Sequence, residues 1–109
     1  MSRHTVDNEF REFMERLFNK SLNQKKWIRT QIEERLENWD ITRVAIIDLL
    51  VLQMMIAEMV FLEDIPPKVS IAEGVEIARK YSTDESSSFV NGILDSVYHS
   101  LEKLSVPSV

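Results

Sequence analysis

The stretch that most constrains this chain is residues 41–62, ITRVAIIDLLVLQMMIAEMVFL, in which only Thr42, Arg43, Asp48, Gln53 and Glu58 are polar. Asp48, Gln53 and Glu58 recur every fifth residue. At about 100° per residue each steps about 140° around a helix axis, so no face is wholly polar. A helix apolar almost all round lies in a protein core or spans a bilayer. Roughly 20 residues would suit a bilayer. However, an Asp near the middle of a span costs about 2.5–3.5 kcal/mol, and Gln53 and Glu58 add to that. The expectation is a central core helix wrapped by amphipathic neighbours, with no membrane span.

A chain of 109 residues implies one domain, 1–109, long enough to bury a core without covalent staples. The absence of cysteine removes disulfides, thiol catalysis and cysteine-ligated zinc together. The opening MSRHTVDNEF has no apolar h-region, so no signal peptide is expected and the cytoplasm is the expected location. The net charge of −5 is uneven. Residues 1–40 balance, whereas 41–109 carry all of the excess, a distribution that disfavours a phosphate backbone and suits a basic protein partner. Solvated helix faces would give the same pattern.

Periodicity predicts five helices, an all-α bundle. The first runs from Val6 to about Lys20, with Phe10, Phe13, Met14, Leu17 and Phe18 on one stripe set to pack against the central helix. Residues 19–23 read as a turn. The second runs from about Gln24 to Trp39, with Ile28, Ile32, Leu36 and Trp39 sharing a face. Asp40 is placed to cap the central helix. After Pro66-Pro67, Ser70 and Glu73 have the spacing of a capping box opening a fourth helix to about Tyr81, with Ile71, Val75, Ala78 and Tyr81 inward. Ser82 and Glu85 form a second capping box, or Thr83 caps alone, at the start of a fifth helix from about Asp84 to Leu104. Its core stripe is Val90, Ile93, Leu94, Val97, Leu101 and Leu104, with Phe89 and Tyr98 flanking it and half-exposed. Gly74 and Gly92 both fall inside helices, where each costs about 1 kcal/mol relative to Ala. Close helix–helix approach is the expected reason for both. The tail 105–109 is expected to be loose.

Catalytic chemistry is poorly supplied. His4 and His99 sit in polar, terminal surroundings, two glycines cannot make a phosphate-binding loop, and Asp48 and Glu58 do not share a helical turn. Neither an enzyme nor a cofactor is expected. Lys25, Lys26 and Arg29 around Trp27 suit a small nucleic-acid patch, although such a cluster is more often a solvated face. Two residues stand out as binding candidates. Asp48 is a carboxylate among Ile46, Ile47, Leu49 and Leu50, either satisfied by an intrachain Arg or serving as the polar anchor of an apolar contact surface. Phe89 is a flanking aromatic that follows Glu85, Ser86, Ser87 and Ser88, and so suits a basic partner.

The segments IPPKVSIAE (65–73), EIARKYS (76–82) and FVNGILD (89–95), with ENWD (37–40) and Arg43 upstream, resemble the NusB transcription antitermination family over roughly residues 10–104. The family shows IPxKVxINE, an EIAKKY-like segment and FVNGVLD at similar separations. Here Ala72 replaces the usual Asn, and Gly74 follows Glu73.

The resemblance implies an all-helical, non-catalytic factor that pairs with the ribosomal protein NusE, binds boxA RNA with it, and joins the RNA polymerase complex. By position it implies a NusE-facing set of Asp48, Glu85 and Phe89, while Lys68, Arg79 and Lys80 are candidates for touching RNA. The family opens with an arginine-rich helix of a separate N-terminal subdomain, and nothing comparable precedes Phe10. The match is therefore to the C-terminal part, and the apolar surface thus bared suits a homodimer. Two alternatives are the NusB-like RNA-recognition domain of an rRNA cytosine methyltransferase and a generic helical oligomerisation scaffold.

Overall fold

The computed structural model describes residues 3–37, 40–104 and 106, with side chains from Asn8 onward. The elements are α1 (Arg3–Asn23), α2 (Lys25–Glu34), a 3-10 turn (Ile41–Arg43), α3 (Ile46–Phe61), α4 (Pro67–Tyr81), α5 (Asp84–His99) and a second 3-10 turn (Leu101–Lys103). The described residues contain five α-helices and no strand. Trp39, predicted on the face of the second helix, and residues 105 and 107–109 lie outside the described set.

α3 packs against all four other helices. Leu52, Ile56 and Ala57 have no exposed surface, and Val51, Met55 and Met59 are buried beside them. Its first turns depart from the expectation of burial on every side. Ile46 is 73% exposed and Leu50 56%. The helix also starts later than predicted, because Asp40 caps the 3-10 turn instead. Its carboxylate accepts from Thr42 N at 3.0 Å and from Thr42 Oγ1 at 3.0 Å. Those bonds hold the Asp40 carboxyl below its ordinary range. Val44 and Ala45 are then extended before α3 begins.

α1 runs through the polar stretch 19–23 that was predicted as a turn, and the reason is tertiary. Ser21 is buried, and Gln53 of α3 donates to its carbonyl at 3.3 Å and to its Oγ at 3.1 Å. The chain breaks only at Gln24 (φ −110°, ψ 20°) before α2 resumes. The predicted stripe on α1 packs inward only in part. Leu17 is buried and Phe13 half-buried, but Phe10 (65%), Met14 (36%) and Phe18 (54%) face solvent, as does Leu22 (51%), which lies outside the predicted stripe.

α4 starts at Pro67, three residues before the predicted capping box. Proline is suited to that first position, since its missing N–H would have no partner there. Ser70 therefore lies inside the helix and caps nothing. Of the residues predicted inward, Ala78 is buried, Ile71 and Val75 are half-buried, and Tyr81 is exposed. α5 is capped by Thr83 alone, whose Oγ1 accepts from Ser86 N at 3.0 Å. It ends at His99, and the predicted last turn is the 3-10 segment Leu101–Lys103. Val90, Ile93, Leu94 and Val97 are buried, and Phe89 and Tyr98 flank them half-buried.

Gly74 marks a close approach of three helices. A Cβ there would stand 2.9 Å from Leu94 Cδ1 and 2.9 Å from Met55 Cγ. Gly92 does not: a Cβ there would meet nothing within 4 Å, so close packing explains only one of the two glycines.

Candidate functional site

The first turn of α3 and the first turn of α5 come together around a cavity of about 300 Å³. It is lined by Asp48 from α3, Glu85, Ser86 and Phe89 from α5, Thr83 at the α5 cap, and Arg43 to Ala45 before α3. Asp48, Glu85 and Phe89 therefore meet on one concave surface. Phe89 also lines a second, neighbouring cavity of about 600 Å³ with Arg35, Leu36 and Gly92.

Asp48 is 5% exposed. Its partner is a serine of α5, not the arginine considered from sequence: Ser86 Oγ donates to Oδ2 at 2.9 Å. Ser86 is fixed in turn by Ser82 Oγ at 2.8 Å and Thr83 Oγ1 at 3.2 Å. The other carboxylate oxygen, Oδ1, is buried and accepts no hydrogen bond from any described residue. A buried acceptor left unmade costs about 1–3 kcal/mol, which a donor brought by a partner would recover. Beside this carboxylate the cavity is lined by Val44 and Ala45 before α3, the half-buried Phe89 and the exposed Glu85. The arrangement suits a partner bearing a cation or an N–H on an apolar patch.

Sequence reasoning passed over Ser86, Thr83 and Arg43 as site residues. Thr83 was visible as a cap, but nothing in the sequence places Ser86 opposite a residue thirty-eight positions earlier.

The cations singled out for RNA are separated by the fold. All three are exposed, but Lys68 sits in the first turn of α4 and Arg79 and Lys80 in its last. Eleven residues at 1.5 Å rise put them about 17 Å apart along the axis. Arg79 is paired with Glu76, and Lys80 Nζ stands 5.4 Å from the centre of the Tyr81 ring. Among the other sequence candidates, Trp27 stacks edge-on against Phe61 at 5.7 Å, so its ring is used in packing. No group of three metal-ligating side chains is found among the described residues.

A second polar cluster lies further along α3. Glu58 is 3% exposed, and the fully buried Ser70 donates to its Oε1 at 2.6 Å. Glu73, one turn on from Ser70 and closer to solvent, is pushed up to about 7 by partial burial and by the neighbouring Glu58. A carboxyl raised in this way keeps its proton in the fold after the unfolded chain, near 4.5, has lost it. Its contribution to stability is thus present below about 4.5 and is lost as pH rises toward about 7. We expect the melting temperature to fall between pH 5 and pH 8, and the fall to be smaller in Glu73→Gln, as measured by thermal unfolding at both pH values.

The sequence pattern of the NusB family matches residues 1–99. The transcription antitermination protein NusB of Chloroherpeton thalassium is 44% identical over 101 residues, 93% of this chain and 48% of that protein. Its namesake in Salinibacter ruber is 42% identical over 91 residues, 84% of this chain and 57% of that one. The solved structure of T. maritima NusB superposes with a TM-score of 0.77 at 36% identity, covering 81% of this chain and 62% of that one. The chain thus spans about half to two thirds of the length of the relatives it matches. Among the described residues no helix is long and apolar enough to cross a membrane.

Proposed function

The chain belongs to the NusB family, and from that premise we propose that residues 1–109 form one helical domain whose Asp48–Glu85–Phe89 surface binds the basic ribosomal protein NusE. The pair would act without catalysis or cofactor, at boxA RNA, in the cytoplasmic transcription complex of RNA polymerase. The observation that carries this reading is the cavity of about 300 Å³, which gathers a carboxylate with an unsatisfied buried oxygen, a second acid and a half-exposed aromatic from two helices. A buried anchor ringed by apolar contact is the usual anatomy of an interface centre. The experiment is a calorimetric titration of NusE into the chain. We expect saturable one-to-one binding that weakens as salt is raised; an absence of binding at low salt would overturn the reading.

RNA contact belongs to the same proposal. Lys68, Arg79 and Lys80 would touch phosphates of a strand lying along α4. Each phosphate contact to a single strand contributes about 0.7 to the slope of log affinity against log salt. Replacing all three cations with Gln should lower that slope by about 2, measured on boxA RNA with NusE present.

The exposed stripe Phe10, Phe18 and Leu22 on α1 supports a homodimer when nothing else covers it. Light scattering at high concentration should report twice the chain mass, and Phe18→Glu should return it to monomer.

A further inference from the structure

The hydroxyl of Ser86 has a single proton, and Asp48 takes it. A carboxylate only accepts, so the 2.9 Å contact from Ser86 Oγ to Asp48 Oδ2 fixes the direction of the other bonds in the cluster. With its own proton committed, Ser86 Oγ can only accept. Ser82 Oγ therefore donates to it at 2.8 Å, and Thr83 Oγ1 donates to it at 3.2 Å. Thr83 Oγ1 keeps a lone pair for Ser86 N at 3.0 Å, so capping α5 and feeding the cluster are compatible. The result is a one-way chain of hydroxyls. It starts at Ser82, where α4 ends, passes the α5 cap and finishes on α3. Donors that feed a hydroxyl polarise it and strengthen the bond it makes in turn.

Ser86 itself has nothing left to offer a partner. It is buried, its proton is used and both lone pairs accept. Its consequence lies in Asp48. Among the described residues no other group bonds that carboxylate. Arg43 lines the same cavity yet forms no ion pair with it, and Glu85, the remaining charged group of the lining, carries the same sign. An aspartate side chain is free to change rotamer unless something holds it, and one anchored oxygen does so. Oδ1 is then the vacant acceptor, fixed in place before any partner arrives. Such preorganisation raises affinity because the group need not be ordered on binding.

We propose that Ser86 is a positioning residue of the docking surface: it anchors Asp48 through Oδ2 so that Oδ1 is presented to a donor on the partner. The proposal rests on the assignment of that surface to NusE. Ser87 supplies an internal contrast. It is the next residue, it is buried in the same turn of α5, and its hydroxyl donates to the Asp84 carbonyl of its own helix at 2.8 Å. The two serines are alike in size and burial and differ in where the hydroxyl goes.

The test compares Ser86→Ala with Ser87→Ala in calorimetric titrations with NusE, with thermal unfolding of each variant alongside. Ser86→Ala should weaken binding about tenfold, the loss expected when a hydrogen bond to a charged group is removed. Ser87→Ala also loses a buried bond, and should bind within about twofold of the unaltered chain, as a site that shares no partner with Asp48. Ser86→Thr keeps the hydroxyl and should restore tight binding. In an Asp48→Ala background, Ser86→Ala should bring no further loss, because the group it positions is gone. A readout without the partner separates the positioning role from the docking surface itself. The Hα–Hβ couplings of Asp48 in the free chain should report one χ1 rotamer, and an average over rotamers in Ser86→Ala. Should Ser86→Ala fail to fold, Ser86→Cys retains a weak S–H donor and should show a smaller loss in the same direction. Averaged couplings in the unaltered chain, equal losses in the two serine variants, or a loss that persists without Asp48 would each overturn the proposal. Failure of NusE to bind the unaltered chain would overturn the docking surface, and the proposal with it, even where the couplings report a single rotamer.

Discussion

We expect Phe89→Ala to lower affinity for NusE by about 2 kcal/mol, roughly thirtyfold, while leaving the helical fold intact. The expectation rests on how α5 divides its labour. Val90, next in sequence, is fully buried and carries the packing, whereas Phe89 is only half-buried and forms the wall between two cavities. Truncating it strips a large flat contact from the proposed docking surface and takes less from the core than a change at the fully buried Val90 would. Asp48 calls for a gentler change. It is 5% exposed, so a lysine there would bury an unmatched charge and confuse folding with binding. Asp48→Asn keeps one oxygen as acceptor for Ser86 Oγ, but removes the charge and turns the other oxygen, Oδ1 in the aspartate, into an N–H donor. It should weaken NusE binding and flatten its salt dependence. Calorimetry on the two variants, with circular dichroism as the control for folding, checks both statements.

Gly74→Val destabilises the fold by about 3 kcal/mol, the upper part of the range for forcing extra carbons into a packed core. Its first added carbon already meets Leu94 Cδ1 and Met55 Cγ at 2.9 Å, with Val51 Cγ1 at 3.5 Å. Those atoms belong to α5 and α3, so α4 would have to move away from both. For a chain of this length the loss corresponds to a fall of about 12 °C or more in melting temperature. Gly92→Ala has the opposite sign. With nothing within 4 Å of the new methyl group, the better helix propensity of Ala should add up to about 1 kcal/mol. Thermal unfolding of the two variants side by side tests the pair, and the contrast in sign is more telling than either magnitude.

These two glycines show where reading the sequence succeeds and where it stops. Helix periodicity identified five helices and the buried stripe Val90, Ile93, Leu94 and Val97, because burial on one face writes a 3.6-residue repeat into the chain. The same geometry put Phe89 and Tyr98 at the edges of that stripe, where both are half-buried. Asp48 was legible as an oddity because a carboxylate amid Ile and Leu has to be accounted for by a partner. Which partner was not legible, since Ser86 is brought opposite it only by the packing of α3 against α5.

Ser70 shows the reverse error. Its spacing to Glu73 fits a capping box as well as it fits a buried acid network. Only the tertiary position of Glu58, together with a helix that starts at Pro67, decides between them. On α1, periodicity correctly marked an apolar stripe but could not say that Leu17 would be covered by this chain while Phe10 and Phe18 would not. Periodicity records that a face is apolar, and what covers that face depends on the rest of the assembly.

The most direct test of the docking surface is a titration of unlabelled NusE into nitrogen-15-labelled chain, followed amide by amide. The account predicts that the largest perturbations cluster at residues 43–50 and 83–89, the two helix starts around Asp48 and Phe89. Perturbations confined to α1 and α4, with those two segments unmoved, would contradict it.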